Sequence, residues 1–207
     1  MFENRDHGGR RLAEAMQEAG VAIDLVLAVP RGGLPVGRKV ADAFGVPLDI
    51  IAAKKLGAPG NPELAVGAAA ADGSVWLNDR LIDQFGLGDE YLERERESAR
   101  ETAIEKEQSY RGDREAEQIA GRTVAIVDDG IATGATMRAC IKAVQAQGAG
   151  RVVVGVPVGP PDTIAELEAM ADEVVVVDRP GFFSAVGAFY ANFGQVTDEE
   201  AMSYLRT

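Results

Sequence analysis

The stretch VAIVDDGIATGAT, Val124–Thr136, decides how this chain is read. It opens on an apolar run fit for a short buried strand, passes through two adjacent carboxylates, Asp128 and Asp129, and continues as a loop of glycine, threonine and small apolar residues. Beyond it Met137, Cys140, Ile141 and Val144 recur at helical spacing and Gly148 supplies a stop, so Gly130–Thr136 joins a strand to a helix. The first turn of such a helix has unpaired N–H groups and the positive end of the dipole, which suits a phosphate. Thr133 and Thr136 add hydroxyl donors, while Gly134 and Ala135 let the backbone close around the anion. Ionised Asp128 and Asp129 only accept hydrogen bonds, so they repel a naked phosphate and favour hydroxyl groups or growing positive charge. One ligand satisfies both halves: a ribose 5-phosphate unit, with its phosphate and its vicinal diol a sugar's length apart.

Outward from this stretch the chain alternates buried strands with amphipathic helices. Strands are expected at Leu25–Val29, Pro47–Ala53, Thr123–Asp128, Arg151–Val158 and Glu173–Val177. Helices are expected near 8–19, through Val36, Val40 and Phe44, after the Gly130–Thr136 loop, and over Pro161–Met170. Strands that are apolar throughout belong to a sheet covered on both faces, so the fold class is α/β: a doubly wound, mostly parallel sheet, one domain over 1–207. Residues 54–80, rich in Gly, Pro and Ala, read as a flexible excursion with one short strand at Val75–Leu77. Residues 89–110 read as a charged, solvated surface helix, with Arg111 a surface arginine by default. The Phe-rich segment from Asp178 onward, about 178–207, reads as a loop-rich cap or hood.

Composition bounds the function. A net charge of -12 argues against a nucleic-acid partner, whose binding needs a basic face. No apolar run reaches membrane-spanning length, the N-terminal MFENRDHGGRR is polar, and the single cysteine, Cys140, lies on a buried helical stripe, so a cytoplasmic protein is expected. His7 is the one histidine, in a polar setting, which leaves no His-based triad or metal cage unless His7 reaches the site.

Strand, acidic pair and ATGAT loop together resemble the signature of type I phosphoribosyltransferases, enzymes that use 5-phosphoribosyl 1-pyrophosphate (PRPP). The resemblance implies that Asp128 and Asp129 hold the ribose hydroxyls, and that Gly130, Ala132, Thr133, Gly134, Ala135 and Thr136 bind the 5-phosphate. In AVPRGGLPVG, Ala28–Gly37, it implies a pyrophosphate loop, often with a cis peptide, in which Arg31 and the N–H groups of Gly32 and Gly33 meet the leaving group. Lys54 and Lys55 open a segment that in the family closes over the reacting centre, and either lysine then steadies pyrophosphate. Phe182 or Phe183 takes the place of a ring stacked on a base, and Val186 that of a backbone contact, although the spacing departs by a residue from the purine enzymes. Ala132 stands where 6-oxopurine enzymes have an aspartate, which argues against hypoxanthine and guanine. The whole pattern is similar to a group of predicted phosphoribosyltransferases whose acceptor is unassigned. It implies transfer from PRPP to a nitrogenous acceptor such as a nucleobase, Mg²⁺ carried largely by the substrate with Asp128 and Asp129 assisting directly or through water, and a homodimer. Two rivals stand beside it. A Walker-B-like strand end lacks its GxxxxGK[ST] partner; a non-catalytic PRPP- or nucleotide-binding regulator shares every one of these motifs.

Overall fold

A computed structural model describes residues 1–206, so the last residue of the expected domain and hood, Thr207, lies outside them. The chain runs through α1 (Arg5–Glu18), β1 (Leu25–Ala28), α2 (Gly33–Phe44) and β2 (Leu48–Ile50). Next come β3 (Ala53–Ala58), β4 (Asn61–Ala70), β5 (Val75–Leu77), α3 (Asp79–Phe85) and α4 (Asp89–Arg111). The alternation resumes with β6 (Thr123–Val127), α5 (Ala135–Ala146), β7 (Arg151–Val158), α6 (Pro161–Glu168) and β8 (Glu173–Asp178). A 3-10 turn at Val186–Phe189 and α7 (Asp198–Leu205) follow.

Five strands form one parallel sheet in the order β2-β1-β6-β7-β8. Its two faces explain the uninterrupted apolar runs. Val26, Ala28, Ala125, Val127 and Val153 point to α1, α2 and α7, where Leu12, Met16, Leu34, Val36 and Val40 are buried. The alternate residues Leu25, Leu27, Val124, Ile126, Val152 and Val154 point to α5 and α6, against Met137, Cys140, Ile141, Ile164 and Leu167. Each fully buried Leu, Ile or Val contributes about 1.5–3 kcal/mol relative to exposure, and a buried charge within the sheet needs a partner, as Asp49 of β2 has in Arg111. Cys140 is core, and its burial pushes the thiol well above its ordinary range.

From β1 the chain winds outward to β2, then returns to lay β6 on β1's other side. The carboxyl ends of β1 and β6 therefore diverge at a topological switch point, where open α/β sheets form their ligand crevice.

Two elements differ from the sequence reading. The segment 54–80 is not a loop with one strand: β3, β4 and β5 make an antiparallel sheet of their own. Its alanines hid the strands because they serve close packing: Ala65 and Ala68 lie against Ala135 and Ala139 of α5, and Leu56, Val66 and Ala69 against Ala99 of α4. Nor is α4 wholly solvated. Ala99, Ala103 and Tyr110 are buried, Glu107 accepts from the Ala52 N–H, and Arg111 pairs with buried Asp49 at 3.2 Å rather than lying on the surface.

Candidate active site

At the switch point the Val29 N–H donates to Val127 O at 2.9 Å, which sets the loops after β1 and β6 side by side. The Pro30–Arg31 peptide in the first loop is cis. A Cβ on Gly32 would stand 2.1 Å from Asp129 Oδ2, so only glycine lets the two loops approach this closely. Gly33 plays a different part from the one expected. Its N–H donates to Val29 O at 3.0 Å and is not left for an anion, while a Cβ there would lie 2.7 Å from Val127 O. Arg31 reaches Asp198 of α7 at 3.3 Å, and the Tyr110 hydroxyl donates to the same carboxylate at 2.6 Å. These partners hold the Asp198 carboxyl below its usual range, Tyr110 foremost, whereas burial first and then Asp198 push the Tyr110 hydroxyl up to about 12.

The second loop is fixed by one of its N–H groups and two of its carbonyls. Ile131 N–H donates to Val158 O (2.9 Å), Thr163 Oγ1 to Ala132 O (3.0 Å) and Arg138 Nη1 to Thr133 O (2.6 Å). Arg138 is only 4% exposed; it pairs with Glu166 and lies 4.7 Å from the centroid of the Trp76 ring. Gly134 caps α5 at φ 74 with no side chain on the cap, and the first-turn N–H groups of α5 have no helical partner. Thr133, Gly134, Ala135 and Thr136 line a cavity of about 180 Å³ together with Asp128, Gly130, Ala132, Lys55 and Val186. One cavity is thus bordered both by backbone and hydroxyl donors and by the Asp128 carboxylate.

Burial, reinforced by the neighbouring Asp129, raises Asp128 well above the usual carboxylate range, and the field of Lys106 opposes it. Burial also raises Asp129, with Arg5 pulling the other way. The Arg5 Nε–Asp129 Oδ2 distance is 2.7 Å, and both side chains are only 13% exposed. Arg5 also donates to Gly194 O at 2.6 Å and stands 3.8 Å over the Phe193 ring, while the Tyr190 hydroxyl donates to Asp129 O at 2.5 Å. Asp129 is therefore held by the N-terminal helix and the C-terminal segment together, with one carboxylate oxygen already bound.

The remaining expected residues are distributed unevenly. Lys54 and Lys55 are both exposed on β3 and border a further cavity of about 460 Å³ with Thr136, Tyr91 and Glu95; only Lys55 also lines the phosphate-loop cavity. Val186 closes over Gly130, Phe183 stacks on Phe189 at 5.3 Å, and Phe182 is 84% exposed. Sequence reasoning passed over Arg5, Lys106, Arg138, Tyr190 and Asp198, because each acts through a partner that the residues beside it in the chain do not identify. Arg138, one of the few charged residues among the apolar positions of α5, came nearest to giving a spacing signal.

A phosphoribosyl transferase domain model matches residues 4–191. A Mycobacterium tuberculosis protein named "Putative phosphoribosyl transferase" is 41% identical over 214 aligned positions, which take in 99% of this chain and 46% of that protein, so the chain spans about half the length of this relative. The crystal structure of TT1426 from Thermus thermophilus is 42% identical, with TM-score 0.85 over 99% of this chain and 97% of its own. The amidophosphoribosyltransferase of Synechococcus elongatus is 29% identical over 152 positions, 73% of this chain and 23% of its own.

Proposed function

We propose that this chain, which belongs to the phosphoribosyl transferase family, moves the 5-phosphoribosyl group of PRPP to a nitrogen acceptor, a nucleobase or a similar heterocycle, and releases pyrophosphate. The observation that carries the reading is the cavity shared by the Asp128 carboxylate and the Thr133–Thr136 loop, with Asp129 adjoining it. The loop anchors the 5-phosphate through the α5 N-terminus and the hydroxyls of Thr133 and Thr136. That remote binding fixes C1 of the ribose beneath the leaving group. The Asp128 and Asp129 carboxylates accept from the ribose hydroxyls and favour the positive charge that grows on the ring. The C1–O bond to pyrophosphate breaks and its electron pair leaves with pyrophosphate. A C1–N bond forms on the opposite face, and the acceptor's surplus proton passes to solvent. Arg31, freed from Asp198, receives the pyrophosphate, with Lys54 and Lys55 on β3 as further cations.

Among the described residues no cluster of three or more His, Cys, Asp or Glu side chains stands ready for a metal. Asp128 and Asp129 are carboxylate ligands of the kind Mg²⁺ takes and would hold the ion, directly or through water, when it enters with PRPP. The ion supplies charge neutralisation at the leaving group. Val186, which lines the same cavity, and Phe183, packed beside it on Phe189, are the residues assigned to the acceptor.

The test is Asp129→Asn, assayed as pyrophosphate release from PRPP with Mg²⁺ and a panel of nucleobases. A folded protein with turnover lowered about 100-fold or more is expected, the scale set by losing one transition-state contact. Turnover near that of the wild type removes the role given to Asp129. Wild-type protein that binds PRPP tightly yet releases no pyrophosphate with any acceptor is a regulator instead.

A further inference from the structure

The long charged helix α4 carries a residue that its sequence disguises. Ala99, Ala103, Lys106 and Tyr110 follow one another at steps of four, three and four, so Lys106 lies on the buried stripe of α4 between two of its anchors. Whereas Glu101 and Glu105 of the same helix are exposed, the Lys106 side chain is partly buried and its ammonium turns toward the loop after β1. It donates to Pro30 O at 3.1 Å, the carbonyl of the residue just before Arg31. Among the described residues this is its one hydrogen bond, and no carboxylate lies within ion-pair distance of it. An ammonium has three protons to donate. Asp128 stands close enough to favour its charge, and Arg31 and Lys54 close enough to oppose it. Burial presses the same way as those two cations and lowers the pKa of Lys106. Arg31 of the loop after β1 and Lys54 of strand β3 thus lie within electrostatic reach of Lys106, and among the described residues only Arg31 of the three has a carboxylate in ion-pair contact, Asp198. Such an arrangement is costly in the free protein and is relieved by a multiply charged anion entering between them.

We propose that Lys106 is a pyrophosphate-contacting residue, completing with Arg31 and Lys54 a three-element cradle for the leaving group of PRPP. The assignment rests on the function proposed above and deepens it. The pyrophosphate half of the site is then shared between the core sheet and α4, so that α4 is part of the reacting centre rather than a solvated surface helix. The bond to Pro30 O additionally ties the ammonium to the loop that carries Arg31.

The experiment measures binding of pyrophosphate and of ribose 5-phosphate, each with Mg²⁺, to the full chain by calorimetry. Lys106→Gln keeps a donor for Pro30 O but removes the charge, and Lys106→Arg keeps the charge. Loss of one charge-assisted hydrogen bond is expected to weaken pyrophosphate about tenfold or more in Lys106→Gln. Lys106→Arg is expected to stay within about threefold of the wild type, and ribose 5-phosphate to bind all three proteins alike, because a single retained charge carries the effect. A second readout uses the wild type alone: acetic anhydride labelling, followed by peptide mass spectrometry, should show Lys106 protected by pyrophosphate and not by ribose 5-phosphate. Unchanged pyrophosphate affinity in Lys106→Gln, equal weakening in Lys106→Arg, or equal labelling with both ligands overturns the assignment while leaving the proposed transfer intact. Wild-type protein that binds neither ligand overturns both.

Discussion

At the scale of single residues the site holds charges that the fold does not favour. Asp128 is the clearest: its Oδ1 accepts the Asp129 N–H at 2.8 Å, yet burial and the adjacent carboxylate keep its pKa well above the ordinary value. A carboxyl whose native pKa is raised binds its proton more tightly folded than unfolded. Its ionisation therefore lowers stability as pH rises from the unfolded value through the raised native one, and has no effect below both. Asp128→Asn is expected to melt a few degrees higher than the wild type at pH 7, with the gap closing toward pH 4; about 2–4 °C per kcal/mol applies to a chain of this length. Thermal unfolding across that range checks it, and an equal gap at both ends would mean that ionisation is not the cause. The same substitution should abolish turnover, the familiar opposition between a strained site and stability. Asp128 and Asp129 were legible because a carboxylate pair at a strand end has no packing reason to be there. Arg5 was not, since its partner lies 124 positions away.

At the scale of elements, the joint between β6 and α5 shows how backbone geometry serves binding. Gly134 occupies the left-handed region at φ 74, and a Cβ there would also stand 2.8 Å from Thr163 Cγ2. Gly134→Ala should therefore destabilise the protein by about 1–2 kcal/mol, the scale of the left-handed penalty for an L-residue. It should also weaken ribose 5-phosphate binding well beyond that of a surface Gly→Ala such as Gly20→Ala, which also has positive φ but open space around it. Denaturant titration and calorimetry on the two variants separate the contributions. Element type followed the sequence wherever burial was two-sided: the runs LVLA, TVAIV and RVVVGVPV form β1, β6 and β7. It failed over 54–70, where alanine and glycine replace β-branched residues so that β4 can lie against α5, while the strand expected at Val75–Leu77 is β5. Small residues chosen for close approach look, in sequence, like residues chosen for a loop.

At the scale of the whole molecule the two ends of the chain fasten each other over the site. Phe2 N–H donates to Phe189 O (2.7 Å), Ala191 N–H to Phe2 O (2.8 Å) and Asn192 N–H to Glu3 O (2.9 Å), and Arg5 joins Asp129 to Gly194 and Phe193. Arg5→Gln is expected to raise amide hydrogen exchange across 186–194 several-fold while β6 and β7 stay protected, because opening there is local rather than global. Unchanged exchange in that segment would show that the backbone pairs alone hold it. The sequence by itself determined the alternation of strands and helices, the parallel sheet and the Gly130–Thr136 loop with its acidic neighbours. Each of these is written in contiguous residues, by the period of burial or by the chemistry of one turn. Tertiary structure alone decided which charges meet: Arg5 with Asp129, Asp198 with Arg31, Lys106 with the Pro30 carbonyl. Those pairings depend on the order in which strands lie in the sheet, and a side chain's partner across a switch point leaves no mark on the residues beside it in the chain.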